Sequence, residues 1–123
     1  MKKELRQKIH FKYCGKCAYC GKNIEYKDMQ VDHIIPNTRF YVQSHKDAFK
    51  VDDFENLNPA CRSCNHYKAT YTLEEYRLIL KVLHTKLERK PMNRVAINYG
   101  IIKLEQFDGK FYFEKGKSSI SIH

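Results

Sequence analysis

The stretch Cys61–Lys68, "CRSCNHYK", sets two cysteines at C-x-x-C spacing and follows them at once with Asn65 and His66. On a helix, residues three apart share a face, so Cys61 and Cys64 present their sulfurs together. An earlier pair, Cys17 and Cys20 in "CAYCG", supplies two more. Four thiolates are the donor set of a tetrahedral structural zinc site, which leaves no open coordination position. Such a metal holds the fold, and any catalysis needs a second site. Cys14-x-x-Cys17 is a competing register for the first pair. Gly21 favours Cys17 and Cys20, because a glycine there lets the turn fold its N–H groups toward sulfur. Cys14 is then left over as a semi-buried free thiol.

The rest of the composition fits a small metal-stapled domain. The chain has 123 residues, 42% hydrophobic and 30% charged, with 5 Gly and 3 Pro, as a globular chain does. No apolar run approaches the ~20 residues needed to cross a bilayer. The opening "MKKELRQKIH" lacks the apolar centre of a leader, since Glu4, Arg6, Gln7 and Lys8 interrupt it, and a cytoplasmic protein is expected. In that compartment cysteines point to metal before disulfides. The formal net charge is +9, and the first segment gathers Lys2, Lys3, Arg6, Lys8, Lys12 and Lys16 against Glu4 alone. Such an excess suits a polyanion, because each neutralised phosphate releases condensed counterions.

Local patterns predict an α+β chain. Leu5, Ile9 and Tyr13 form one stripe of a short helix over Lys3–Tyr13. "MQVDHIIP" reads as a strand closed by Pro36, and "ENLN" as a short second strand. The polar, aromatic run Asn37–Asp53 has no period and is expected to be mostly loop. Asn58-Pro59 has the form of a helix start, Asn as N-cap and Pro in the first turn, with the helix running to about Ala69. Thr72-x-x-Glu75 is a capping box for a helix ending near Lys90, before Pro91. A further short helix stops at Gly100. "IIKLEQFDGKFYFEK" reads as a β-hairpin turning at Asp108-Gly109, and "GKSSISIH" as a frayed end.

Taken in order, "CAYCG", "VDHIIP", "DDFENL" and "CRSCNHYK" resemble the HNH endonuclease family over roughly Leu5 to Arg77. The resemblance implies a ββα-metal core, so the expected fold is α+β: that core with the four-cysteine zinc site, the flanking helices and the C-terminal hairpin. Together with the patterns above, the expected organisation is a core over residues 1–77, with 78–123 an extension packed on the same domain. By this likeness His33 is the general base that deprotonates water, and Asn56 braces the loop that orients it. Asp32 and Asn65 are ligands of a catalytic Mg²⁺ or Mn²⁺, an H-N-N variant of the pattern. His66, next to Asn65, is the alternative ligand. Lys68, Arg62, Lys12 and Lys16 are expected at nucleic-acid phosphates. The activity implied is hydrolysis of DNA phosphodiester bonds, double-stranded DNA being the expected partner, in an enzyme of the kind carried by phages and mobile elements. The family's usual Gly-Gly loop after "DHIIP" is replaced here by "NTRFYVQSHKDAFKV". Two rivals stand beside this: a zinc-stapled binding module without catalysis, and a nuclease acting on RNA. A binding module needs none of Asp32, His33, Asn56 and Asn65.

Helical geometry separates Asn65 from His66. At about 100° per residue, Asn65 lies about 40° and Lys68 about 20° from the direction of Cys61, whereas His66 is turned about 140° away. Asn65 is therefore expected to face the strand that carries Asp32, and His66 the flank or solvent.

Overall fold

A computed structural model of the chain describes residues 1–36 and 51–115. Most of the expected loop and the expected frayed end, 37–50 and 116–123, lie outside the described residues.

Helix α1 (Lys3–Phe11) leads into the first cysteine turn. Strand β1 (Gln30–His33) follows and pairs antiparallel with β2 (Leu57–Ala60), with Asp32 opposite Asn58 and His33 opposite Leu57. Helix α2 (Arg62–Lys68) comes next, then α3 (Leu73–Arg89) and α4 (Pro91–Asn98). This is an α+β chain with a β–β–α order through the middle. The expected capping box is formed: the Glu75 N–H donates to Thr72 Oγ1 and the Thr72 N–H to Glu75 Oε1. Gly100, past the end of α4, takes φ 73°.

Two expectations fail. Asn58-Pro59 does not start the helix; both residues lie in β2, where Pro59 sits opposite Val31. The sheet has only two strands, so one edge of β2 needs no donor and a proline is tolerated there. The Pro59 carbonyl still accepts from the Ala18 N–H at 2.8 Å. Helix α2 begins four residues after Asn58, with Cys61 as its N-cap; the thiol sulfur, in place of the usual side-chain oxygen, accepts from the Cys64 N–H at 3.5 Å.

The C-terminal hairpin is also absent among the described residues. The stretch 101–110 has no paired strand, and 112–115 is helical. Asp108 Oδ1 accepts from the Lys110 N–H, a local turn around Gly109, whose φ is 88°. The apolar residues expected to alternate across a hairpin are used one by one instead. Phe111, 1% exposed, stacks on Tyr76 with ring centres 5.3 Å apart and meets Tyr19 edge-on at 5.4 Å. The Tyr112 and Phe113 N–H groups donate to the carbonyls of Tyr19 and Ala18 in the first cysteine turn. Gly21 allows this close docking: a Cβ there would stand 2.8 Å from Tyr112 Cδ1.

Candidate active site

The four cysteines come together. One sulfur from each of Cys17, Cys20, Cys61 and Cys64 lies within 4.8 Å of the others, the one such group found among the described residues. Tetrahedral bonds of about 2.3 Å to zinc place sulfurs about 3.8 Å apart. The Cys20 and Cys61 sulfurs are 3.8 Å apart. The Cys61 N–H donates to the Cys17 sulfur at 3.3 Å. Hydrogen bonding from Cys64, opposed by burial and aided by the Cys20, Cys61 and Tyr19 amides, holds the Cys17 thiol down at about 4. The same contact pushes the Cys64 thiol up. Four converging thiolates of this geometry suit a thiophilic divalent ion and fit the dimensions of a zinc site. Cys14 stands apart and is exposed, at φ 55°, rather than semi-buried.

Asp32, His33 and Asn65 line one cleft of about 230 Å³, with Pro36 and Thr70 at its wall. Neighbouring side chains of a regular strand point to opposite faces, but β1 ends at His33 and the chain bends at Ile34 and Ile35. That break lets both residues reach the cleft. His66 is exposed on the flank of α2, as its rotation from Cys61 requires.

Each of these residues is held by others. Asp32 is 4% exposed, and its Oδ2 accepts from the Tyr19 hydroxyl at 2.5 Å. Lys68 Nζ lies 3.1 Å from Asp32 Oδ2 and 3.3 Å from Oδ1, and donates to the His33 carbonyl at 2.9 Å. Burial pushes the Asp32 carboxyl up and the Lys68 ammonium down, and their mutual attraction opposes both shifts. His33 Nε2 is 2.9 Å from Asp52 Oδ1. Asn56, fully buried, spans the bend: Oδ1 accepts from the Ile35 N–H, and Nδ2 donates to the carbonyls of Ile35 and Val51. Its backbone carbonyl accepts from the Ile34 N–H. The bracing role expected of Asn56 is this set of contacts.

Two of the four cations expected at phosphates are elsewhere. Lys68 is fully buried against Asp32, so it offers nothing to a phosphate outside. Lys12 turns inward, donating to the carbonyls of Phe54 and Leu57 at 3.0 and 2.8 Å. Nothing in the sequence around a single lysine marks it as buried, which is why the fold and not the sequence separates these two from surface charge. Arg62 is exposed on the first turn of α2, and Lys16 donates to Asn23 at the surface. Asp52 and Tyr19 were missed. Tyr19 stands inside the Cys17-x-x-Cys20 turn, and Asp52 four residues before Asn56 in "VDDFEN", which are the positional signals that mark them.

A larger cleft of about 500 Å³ lies beyond the sulfur cluster, walled by Tyr76, Leu80, Phe107 and Phe111. It brings no histidine to its surface.

The β–β–α unit thus carries both a four-sulfur cluster and an Asp-His-Asn cleft. Residues 17–70 match the HNH endonuclease family. The chain is 37% identical over 75 residues to a Bacillus subtilis (strain 168) protein described as "SPbeta prophage-derived putative HNH endonuclease YoqL". That alignment takes in 57% of this chain and 30% of the relative, so the chain spans under a third of that protein's length. A solved structure, the Type II-C Cas9 enzyme from Actinomyces naeslundii, is 25% identical, with a TM-score of 0.48 over 60% of this chain and 8% of that one. Among the described residues no helix is long and apolar enough to cross a membrane.

Proposed function

We propose that this protein is a metal-dependent endonuclease that hydrolyses DNA phosphodiester bonds in the Asp32–His33–Asn65 cleft. The observation that carries the proposal is the meeting of those three side chains in one cleft within the HNH segment. A binding module has no use for a carboxylate, an imidazole and an amide so gathered.

His33 is the general base. Asp52 holds Nε2, which selects the tautomer and leaves Nδ1 as the nitrogen that takes the proton from water. Asn56 fixes the bend after His33 and so the position of the imidazole. Burial raises the Asp32 carboxyl, and Lys68 opposes that rise and so favours the ionised form. A carboxylate has about four acceptor sites, and the contacts to Tyr19 and Lys68 occupy three, leaving one for a hard cation. Asp32 and the Asn65 amide oxygen are the donors that fit Mg²⁺ or Mn²⁺. Such an ion supplies charge stabilisation at the phosphate and the leaving oxygen. Zinc at the four cysteines is structural. Arg62 and Lys16 are the surface cations nearest in sequence to the two cysteine turns, and with the +9 charge they favour a nucleic-acid partner, here taken as double-stranded DNA.

Supercoiled plasmid incubated with the protein and Mg²⁺, Mn²⁺ or EDTA tests this. Conversion to open-circle or linear DNA with either ion, and none with EDTA, is expected. Intact plasmid under all three conditions, with RNA cut instead, would move the substrate to RNA; no cleavage of either would leave a binding module.

A further inference from the structure

Lys12 lies outside the matched segment, as the residue that caps α1, yet it reaches the loop that sets the imidazole. We propose that Lys12 is a positioning residue for His33, acting through the Asn56 brace; this rests on His33 being the base.

The path is a chain of named bonds. Lys12 Nζ donates to the Phe54 carbonyl at 3.0 Å and the Leu57 carbonyl at 2.8 Å, and sits 4.7 Å above the Phe54 ring. Those carbonyls bracket the short turn Phe54–Asn56, so one ammonium fixes both ends of it. Inside the bracket is Asn56, whose backbone carbonyl holds the Ile34 N–H and whose amide holds both backbone groups of Ile35. Ile34 and Ile35 are the two residues directly after His33. The Asn56 amide also holds the Val51 carbonyl, next to Asp52, the partner of His33 Nε2. Both sides of the imidazole's setting thus trace back to the turn that Lys12 pins. Displacing a reacting group by about 1 Å can cost about 100-fold in rate, so a remote pin of this kind matters to catalysis.

The electrostatics offer a separate handle. Burial pushes the Lys12 ammonium down to about 8, with Glu55 opposing. The other groups facing it are Lys8, which shares the cleft between α1 and the Phe54 turn, and the Tyr13 ring at 5.8 Å. Below pH 8 the ammonium makes charge-assisted bonds; above it the neutral amine still donates, but more weakly. Stability runs the other way. A lysine whose folded-state value is depressed burdens the fold while charged, and that burden lifts as pH rises from about 8 toward 10.5. A rate that falls above pH 8 while this contribution to stability rises is the signature of positioning and not of unfolding.

The test compares wild type, Lys12→Met and Lys12→Arg as full zinc-loaded chains. Single-turnover cleavage, DNA affinity and amide exchange at Ile34 and Ile35 are measured on both sides of pH 8. Lys12→Met is expected to slow cleavage by about 10- to 100-fold with affinity unchanged, and to speed exchange at both amides. Lys12→Arg, charged at every working pH, is expected to restore most of the rate and to lose the decline above pH 8. Unchanged rate and exchange in Lys12→Met would overturn the proposal. So would weakened DNA affinity with a flatter salt response, which would return Lys12 to the phosphates. If Lys12→Met does not fold, the same alkaline decline in wild type and Lys12→Arg overturns it. If wild type cleaves nothing, the function fails on its own, and unchanged exchange at Ile34 and Ile35 still decides the link to Lys12.

Discussion

The sulfur cluster and the cleft are built from the same pieces on different terms. Cys61 and Cys64, on α2 and its cap, meet Cys17 and Cys20; Asn65, one residue later, meets Asp32 and His33 on β1. In the cluster all four donors are alike, and all serve one centre. In the cleft each donor is different, and each is held by a further group: Asp32 by Tyr19 and Lys68, His33 by Asp52, the bend by Asn56. The two sites also share their supports. Tyr19, from the first cysteine turn, and Lys68, from the helix that Cys61 caps, converge on Asp32. The elements that carry the cluster also carry the two donors that hold the Asp32 carboxylate.

Breaking the cluster should therefore have the largest effect. Cys61→Ser removes a sulfur and the N-cap of α2 together, and metal binding at such sites is folding free energy. Metal analysis should show loss of bound zinc, and circular dichroism loss of most ordered structure; full zinc in a well-folded variant would separate the two sites completely. Chelation of the wild type should act in the same direction.

Next comes the choice between neighbours on α2. Asn65→Ala should lose most Mg²⁺-dependent cleavage while keeping zinc, because it lines the cleft and is no cluster ligand. His66→Ala, on the exposed flank, should keep most of it. Single-turnover rates at saturating protein check the ranking, and the reverse order would make His66 the ligand. The smallest effect should come from Cys14→Ser. That thiol is exposed and outside the cluster, so zinc content and melting temperature should stay as in wild type. Loss of metal would support the Cys14-x-x-Cys17 register.

The same contrast explains what the sequence made legible. Cysteine spacing is strict, because ligands of one ion must converge, and the cluster was readable from the C-x-x-C pairs with Gly21 to choose the register. Asp32, His33, Asn56 and Asn65 were named from the order of motifs, and the structure brings three of them to one cleft with Asn56 behind it. The supports were not legible. Lys68 and Lys12 look like any basic residue until the fold buries them, and Asp52 belongs to a run of acids with no spacing rule to single it out. Asn58-Pro59 satisfies the local rules for a helix start, but pairing with β1 claims it for a strand. Asp108-Gly109 satisfies those for a hairpin, but Phe107 and Phe111 instead pack on each other, and Phe111 on Tyr19 and Tyr76.

His33 bears the central claim, and one substitution tests it. Single-turnover cleavage by His33→Ala is compared with wild type, with DNA affinity and zinc content measured on the same samples. A base acts in the transition state and not in affinity, so the rate should fall by about 100- to 10,000-fold with binding and zinc unchanged. Cleavage by His33→Ala at the wild-type rate would contradict the account, whatever the other variants show.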